Sequence, residues 1–238
     1  MPYRTMVTVV TTTGISALVL KKIGARTVHS AFALDDGRHN NEDLATRILK
    51  DPQYRDRYNE ITNMNCLILD EVSMLSKRMF EQLEYIIRVV RGSEILFGGV
   101  QVIFSGDFYQ LPPVPNHDYG DYGHFAFQSD IFSQVFRHNI LLTDVKRQED
   151  PLFIEAIQES ARGSISKTSD DYLLGLSRSL HDKSNPTFLY ATKFEVEYHN
   201  AKALQRLPGE PTIITSQDEG DEDQLKKMPA PHVNSLNF

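Results

Sequence analysis

The sequence lacks several features that would define whole classes of protein. Among its 238 residues there is one cysteine, Cys66, which excludes a disulfide framework and a cysteine-ligated zinc finger. No apolar run approaches the roughly 18 residues of a membrane-spanning helix. The first residues, MPYRTMVTVV, do not combine a basic segment with a following apolar segment. No secretory signal is therefore predicted, and we expect an intracellular protein.

Net positive charge is absent as well, because the formal charge is -7. Residues 218–227, with five acids and two lysines, contribute -3 of that total. Proteins that bind nucleic acid are more often basic, so the balance argues mildly against broad, non-specific DNA binding. A narrow basic groove remains compatible with the negative net charge, since binding follows local charge. The apolar fraction of 40% and the charged fraction of 24% are those of an ordinary globular chain of one or two domains.

Strand-like and helix-like stretches alternate along the chain, which predicts an α/β fold with a largely parallel sheet. The predicted strands are Met6–Thr12, Cys66–Asp70, Val100–Ser105, Ile140–Thr143 and Thr187–Ala191. The predicted helices are Ile15–Lys22, Asn41–Lys50, Gln53–Glu60, Lys77–Arg91, Pro151–Arg162 and Lys193–Leu207. A loop rich in Pro, Gly and Tyr is expected at 107–123, and a disordered acidic stretch from Ser216.

Four of the predicted strands end in polar clusters, and such ends form the ligand crevice of an open parallel sheet. In LILDEVSM, Asp70 and Glu71 follow a buried strand, the form of a Walker B element that holds Mg²⁺ through water and polarises the attacking water. The alternative is that Asp70 caps the next helix, with Ser73 near its start.

The next cluster, GGVQVIFSGDFYQLPPV, brings Gly106, Asp107 and Gln110 to the same edge. An amide there could sense a terminal phosphate, since it both donates and accepts hydrogen bonds. The alternative is an ordinary turn with solvated polar side chains.

Two further clusters could bind phosphate groups. TTTG at 11–14, together with RTVHS at 26–30, offers hydroxyl and backbone donors for a nucleotide or a DNA backbone. N-capping by Thr12 or Thr13, with a structural role for His29, is the alternative. In LLTDVKRQ, the Arg147 guanidinium could stabilise charge on a transferring phosphoryl group, or it could simply be solvated. Metal-cage and Ser/Cys–His nucleophile sites find no support in the residue spacing.

Taken together, these stretches resemble the Pif1-like family of superfamily 1B DNA helicases. VTTTGISA, TVHS, LILDEVSM, FGGVQVIFSGDFYQLPPV, FAFQSDIF and LLTDVKRQ occur in the family's order, and the similarity runs from about Val7 to about Leu207. The resemblance implies an α/β fold with two RecA-like lobes: a first lobe over 1–145, part of a second over 146–215, and the acidic tail over 216–238.

The resemblance also implies a function and its residues. The resemblance implies an ATP-dependent helicase that requires Mg²⁺ and moves 5′ to 3′ along single-stranded DNA and DNA junctions. Asp70 and Glu71 would bind Mg²⁺ and activate water, Gln110 would sense the γ-phosphate and Arg147 would be an arginine finger. The DNA contacts would be Thr13, Gly14 and His29. Roles in DNA repair, recombination and telomere maintenance, in the nucleus or mitochondrion and not at a membrane, are implied for the family.

The sequence departs from the family pattern in two places. The phosphate-binding loop G-x-x-x-x-G-K-[ST] should precede VTTTG, yet Gly-Lys occurs nowhere in the chain. The late motifs, with a second arginine, are missing too. We therefore expect a segment of a helicase: either the central part of an active enzyme or a non-catalytic remnant that binds DNA or a partner. Another P-loop ATPase class fits GDFYQLPP less well.

Overall fold

A single all-parallel sheet organises the first part of the chain. The computed structural model describes residues 6–34, 37–178, 186–209, 212–214 and 234–236. The sheet strands are β1 (Val7–Thr11), β2 (Arg26–Thr27), β3 (Cys66–Asp70) and β4 (Gln101–Phe104). Their order in the sheet is β2-β1-β3-β4, and each neighbouring pair is parallel. The predicted α/β class and parallel sheet are confirmed.

The helices largely follow the apolar periodicity of the sequence. They are α1 (Gly14–Val19), α2 (Val28–Phe32), α3 (Asn41–Lys50), α4 (Arg55–Asn63), α5 (Lys77–Val90), α6 (Phe132–Val135), α7 (Pro151–Arg162), α8 (Lys167–Gly175) and α9 (Lys193–Gln205). The predicted bounds of α3 and α7 are confirmed. Each begins after a residue whose side chain accepts a backbone N–H: Asn40 accepts from Asp43 at 2.7 Å, and Asp150 accepts from Leu152 at 2.9 Å.

The core lies against one face of this sheet. Val10, Leu67 and Leu69 point from the strands into it and are buried. The apolar stripe of α5 packs on the same face, and Phe80 at its start is fully buried. The Phe80 ring lies 5.9 Å, between centroids, from the ring of Phe104 on β4. This packing fixes β3 and β4 relative to the start of α5.

The opposite face of the sheet is only partly covered by the described residues. Val9, Ile68 and Ile103 are paired in register across β1, β3 and β4, so their side chains share a face. Ile103 is 43% exposed and Val7, two residues before Val9, is 48% exposed. All-parallel sheets normally bury both faces under helices. The described part of the chain thus presents a sheet with one of its two helical layers incomplete.

Two predicted strands are wrong. Residues 140–143 and 187–191 have no strand pairing, and Leu142 and Leu189 are 88% and 92% exposed. The apolar run that suggested each strand is present, but a strand also needs a neighbour to accept its backbone hydrogen bonds. Within the described residues, neither segment lies beside one.

The chain divides into two compact units, with the division after Ser177. The second unit contains α9 and an antiparallel pair, β5 (Thr212–Ile214) with β6 (Asn234–Leu236). Of the acidic stretch expected to be disordered from Ser216, the structure describes only β6; the rest lies outside the described residues. No helix in the described ranges is long and apolar enough to cross a membrane.

Candidate functional site

The carboxyl ends of β1 and β3 lie side by side. Thr11 is paired with Asp70 in the register of the two strands. Directly after β3, Glu71 adopts a left-handed backbone conformation, with φ 59° and ψ 45°. Residues other than glycine rarely take this conformation, and those that do are often held in place at functional sites. The backbone at Glu71 is therefore a candidate for a functional constraint.

Two hydrogen bonds hold this turn. The Thr12 hydroxyl donates a hydrogen bond to the Glu71 carbonyl at 2.8 Å, and the Val72 N–H donates to the Ser105 carbonyl at 3.0 Å. A Cβ atom at Gly106 would lie 2.8 Å from the Val72 nitrogen, so a larger residue there would collide with the turn. The ends of β1, β3 and β4 are thus joined around Glu71.

The side chains of Asp70 and Glu71 are partly exposed and make no hydrogen bond or ion pair with the residues the structure describes. The capping alternative for Asp70 is not what the structure shows. A short 3₁₀ turn, Val72–Met74, follows β3; its cap position is Glu71, and no side chain caps it. Both carboxylates are consequently available to water or an ion at the edge of the sheet.

Gln110 extends from the same edge on the loop that follows β4. Asp107 organises this loop, because its carboxylate accepts the Tyr109 N–H at 2.9 Å and its carbonyl accepts the Gln110 N–H at 2.9 Å. The Gln110 amide donates weakly to Asp107, at 3.4 Å, and is exposed. The structure therefore holds Gln110 against Asp107, next to Gly106, without direct contact to Asp70 or Glu71 among the described residues.

The predicted DNA contacts begin α1 and α2. Thr13 caps α1, accepting the Ser16 N–H at 3.2 Å, so the N-capping alternative is confirmed. Gly14 is exposed as the first residue of that helix. His29 is partly buried on α2 and lines a cavity. A role of these three residues in DNA binding stays a prediction.

Arg147 is not brought to the sheet edge by the strand that was predicted to carry it. It is exposed, and it makes no hydrogen bond or ion pair with Asp70, Glu71 or Gln110 in the described ranges. The bond of Thr12 to Glu71 was missed by sequence reasoning; the run of three threonines after β1 was its only signal. Cys66 is buried within β3, and burial raises the pKa of its thiol, which fits its exclusion as a nucleophile.

The residues at this edge fit one half of a Mg–ATP site. Among the described residues, no group of three or more His, Cys, Asp or Glu side chains could hold a metal ion. Mg²⁺ does not need such a cage, since it keeps several waters and binds one or two carboxylates together with substrate phosphates. Asp70 and Glu71 suit that arrangement. The Gly-Lys of a phosphate-binding loop is absent from the sequence, so the described residues do not supply the triphosphate cradle.

Comparison with known proteins identifies the same family as the sequence motifs. The family model described as PIF1-like helicase matches residues 2–170. The chain is 33% identical over 216 residues to the ATP-dependent DNA helicase PIF1 of Emericella nidulans, covering 90% of this chain and 28% of that protein. It is 34% identical to the ATP-dependent DNA helicase RRM3 of Saccharomyces cerevisiae, covering 86% of this chain and 28% of that protein.

Solved structures show the same similarity. The Pif1 helicase of Candida albicans superposes with a TM-score of 0.84 at 30% identity, covering 99% of this chain and 53% of that one. Bacteroides Pif1 in complex with ADP-AlF3 and single-stranded DNA gives 0.72 at 27% identity, covering 91% and 51%. The fold is therefore RecA-like, and the chain spans about half of these solved structures and little more than a quarter of the two curated relatives.

Proposed function

Because the chain belongs to the PIF1-like helicase family, we propose that it forms the central part of an ATP-dependent DNA helicase that moves 5′ to 3′ on single-stranded DNA. One observation carries this proposal: the ends of β1, β3 and β4 are joined around Glu71 by the Thr12–Glu71 and Val72–Ser105 hydrogen bonds. This arrangement links a segment proposed to contact DNA to a residue proposed to activate water.

Each residue then has a defined task in hydrolysis. Bound Mg–ATP supplies the γ-phosphate that is attacked and the metal charge that stabilises it. Asp70 holds the water shell of the metal, and Glu71 accepts the proton of the attacking water. Gln110 senses the terminal phosphate through its amide, and Arg147 stabilises the transferring group from the boundary between the two lobes.

Single-stranded DNA and DNA junctions are the proposed substrates. Thr13, Gly14 and His29 would contact the strand on the first lobe, over 1–145, and residues 146–215 would begin the second lobe. One similar solved structure is a Pif1 helicase in complex with single-stranded DNA. A second similar solved structure concerns DNA unwinding at forked double-stranded DNA by two Pif1 helicases. Because the chain belongs to this family, we also propose that the protein acts on nuclear or mitochondrial DNA, in repair, recombination and telomere maintenance.

The absence of Gly-Lys favours a second candidate: a non-catalytic module that binds DNA or a partner helicase. To separate the two, we would assay this chain and a longer form engineered to carry a phosphate-binding loop upstream. Strand separation is measured on forks with either a 5′ or a 3′ single-stranded tail. The helicase proposal expects ATP-dependent separation of 5′-tailed forks by the longer form alone. If that form binds DNA but never hydrolyses ATP, the non-catalytic module is the correct function.

A further inference from the structure

A cavity of about 260 Å³ lies between α2, the first turns of α5 and the loop that follows β4. These elements all belong to the first compact unit. The polar side chains that line the cavity include His29, Arg78, Gln82, Asn116, Tyr119 and Asp121. This volume is below the roughly 300–1,000 Å³ of pockets for drug-sized ligands, so it suits a group the size of a single ring system.

The walls of the cavity are held in place by hydrogen bonds. The Asp121 carboxylate accepts from the Ser76 hydroxyl and, at 3.0 Å, from the Gly123 N–H. Gln82 is 2% exposed and donates to the His39 carbonyl at 2.9 Å. The loop is thereby fixed to the start of α5, and the cavity exists before any ligand enters.

Arg78 gives the cavity unused hydrogen-bond donors. Its Nη2 donates to the Gly37 carbonyl at 3.2 Å, and its Nε is buried out of reach of a ligand. Its Nη1 makes no hydrogen bond in the part of the chain that the structure describes. A guanidinium carries five N–H donors in a planar fork and remains charged. The Nη1 group is therefore the donor of Arg78 that is left for a ligand in the cavity.

The charged and polar side chains that line the cavity indicate which class of ligand it binds. A free phosphate is disfavoured because the Asp121 carboxylate lines the same space as Arg78. A nucleobase suits both Arg78 and Asp121, since its edge carries hydrogen-bond donors and acceptors. Its flat faces can lie against Met79 and Pro115. Guanine offers the best match: its O6 and N7 accept from an arginine, and its amino group donates to a carboxylate.

We propose that this cavity takes one unstacked base of a bound DNA strand, with guanine preferred. The inference rests on the proposed function, because it adds a base-reading subsite to the proposed DNA surface at His29. In this subsite, Arg78 and Asp121 read the base edge, while contacts to the DNA backbone are made elsewhere.

The test uses the 238-residue chain and fluorescence anisotropy at one fixed salt concentration, since phosphate contacts depend on salt. Thymidine oligomers of equal length are compared with and without one central dG. We expect the dG oligomer to bind about tenfold more tightly, the size of one good bidentate base contact. Arg78→Gln and Asp121→Asn should each remove this difference. Lys77→Gln, which removes the same charge one residue away, should weaken both oligomers equally.

Saturation-transfer NMR with deoxyguanosine provides a second reading, because this nucleoside has no phosphate. Binding that is lost in Arg78→Gln and unaffected by inorganic phosphate supports the base subsite; displacement by phosphate overturns it. Equal affinity for the two oligomers, or a dG preference that survives both cavity substitutions, also overturns it and leaves the helicase proposal intact. Failure to bind any oligomer refutes the DNA-binding role itself, and the subsite with it.

Discussion

Glu71 shows how much of the site can be predicted at the scale of single residues. The string LILDEVSM is sufficient to place two acidic residues after a buried strand. The left-handed backbone at Glu71 could not be predicted, because residues other than glycine seldom adopt it and nothing in the string requires it. The groups that bond to this turn, the Thr12 hydroxyl and the Ser105 carbonyl, follow two other strands that only the fold brings together.

Thr12→Val tests the contact that joins β1 to the Glu71 turn. The substitution keeps the shape of the side chain and removes the hydroxyl, so the Glu71 carbonyl loses its 2.8 Å partner. We expect the free energy of unfolding to fall by about 1 kcal/mol in urea titrations. Thr62→Val is the matched control, since the Thr62 hydroxyl only bonds carbonyls within its own helix. Equal losses in the two variants would show that the Thr12 contact has no special weight.

Arg91, like Thr12, joins separate parts of the chain through side-chain hydrogen bonds to backbone carbonyls. Its Nη1 donates to the carbonyls of Ile61, Thr62 and Met64 at 2.8–2.9 Å, and its Nε donates to Gly98 at 2.9 Å. One side chain thus ties the end of α4 to the segment before β4.

Arg91→Met should lower the free energy of unfolding by about 2–3 kcal/mol, because several partly buried carbonyls lose their donor. Chemical denaturation measures this change. Lys50→Met, at an exposed position, should change stability by less than about 0.5 kcal/mol. A result for Arg91→Met as small as that of the control would contradict this account.

At the scale of elements, helices were easier to predict than strands. An apolar stripe and a capping residue are local signals, and they located α3, α5 and α7 within a residue or two. A strand depends on a neighbour that can be far away in sequence. The apolar runs at 140–143 and 187–191 carry the local signal of a strand, yet no described strand pairs with either.

The helix pair α7–α8 should respond to acid. The Tyr172 hydroxyl donates to Asp150 at 2.7 Å, and with the N–H groups of α7 it lowers the pKa of that carboxyl. The Ser169 hydroxyl, with the Ser166 N–H, likewise lowers the pKa of Glu159. Since a lowered pKa favours the charged form in the fold, this stabilisation is present above the unfolded-state pKa of about 4 and is lost as the pH falls further.

Tyr172→Phe is the variant that tests this response. It should destabilise the chain at neutral pH, and the difference from the unsubstituted chain should shrink below about pH 4. Thermal melts followed by circular dichroism at both pH values measure it. Tyr122→Phe, at an exposed tyrosine, is the control and should be neutral at each pH. A Tyr172→Phe deficit of the same size at acid pH would refute the carboxylate explanation.

At the scale of the whole molecule, the described residues cover one face of the sheet with helices and leave the other face only partly covered. Val7 and Ile103 remain nearly half exposed on a face that parallel sheets normally bury. This exposure could not be predicted from the sequence, because the burial of a strand's side chains depends on the elements that pack against them.

This incomplete architecture leads to a prediction about ATP. The 238-residue chain should bind Mg–ATP weakly or not at all, because no loop lysine or backbone cradle holds the β- and γ-phosphates. Isothermal titration calorimetry measures the affinity, with the longer form that carries the loop as the positive control. Micromolar binding by the 238-residue chain would show that other residues supply the cradle.

The most direct test of the central claim is Glu71→Gln in the longer form, assayed for ATP turnover with and without single-stranded DNA. The amide keeps the shape of the side chain but is a poor proton acceptor, so turnover should fall by about 10²–10⁴-fold while ATP binding is retained. Arg147→Ala should lower turnover by about 10³-fold or more if it acts as an arginine finger. Near-normal DNA-stimulated turnover in Glu71→Gln would contradict the assignment of Asp70 and Glu71 as the site of hydrolysis.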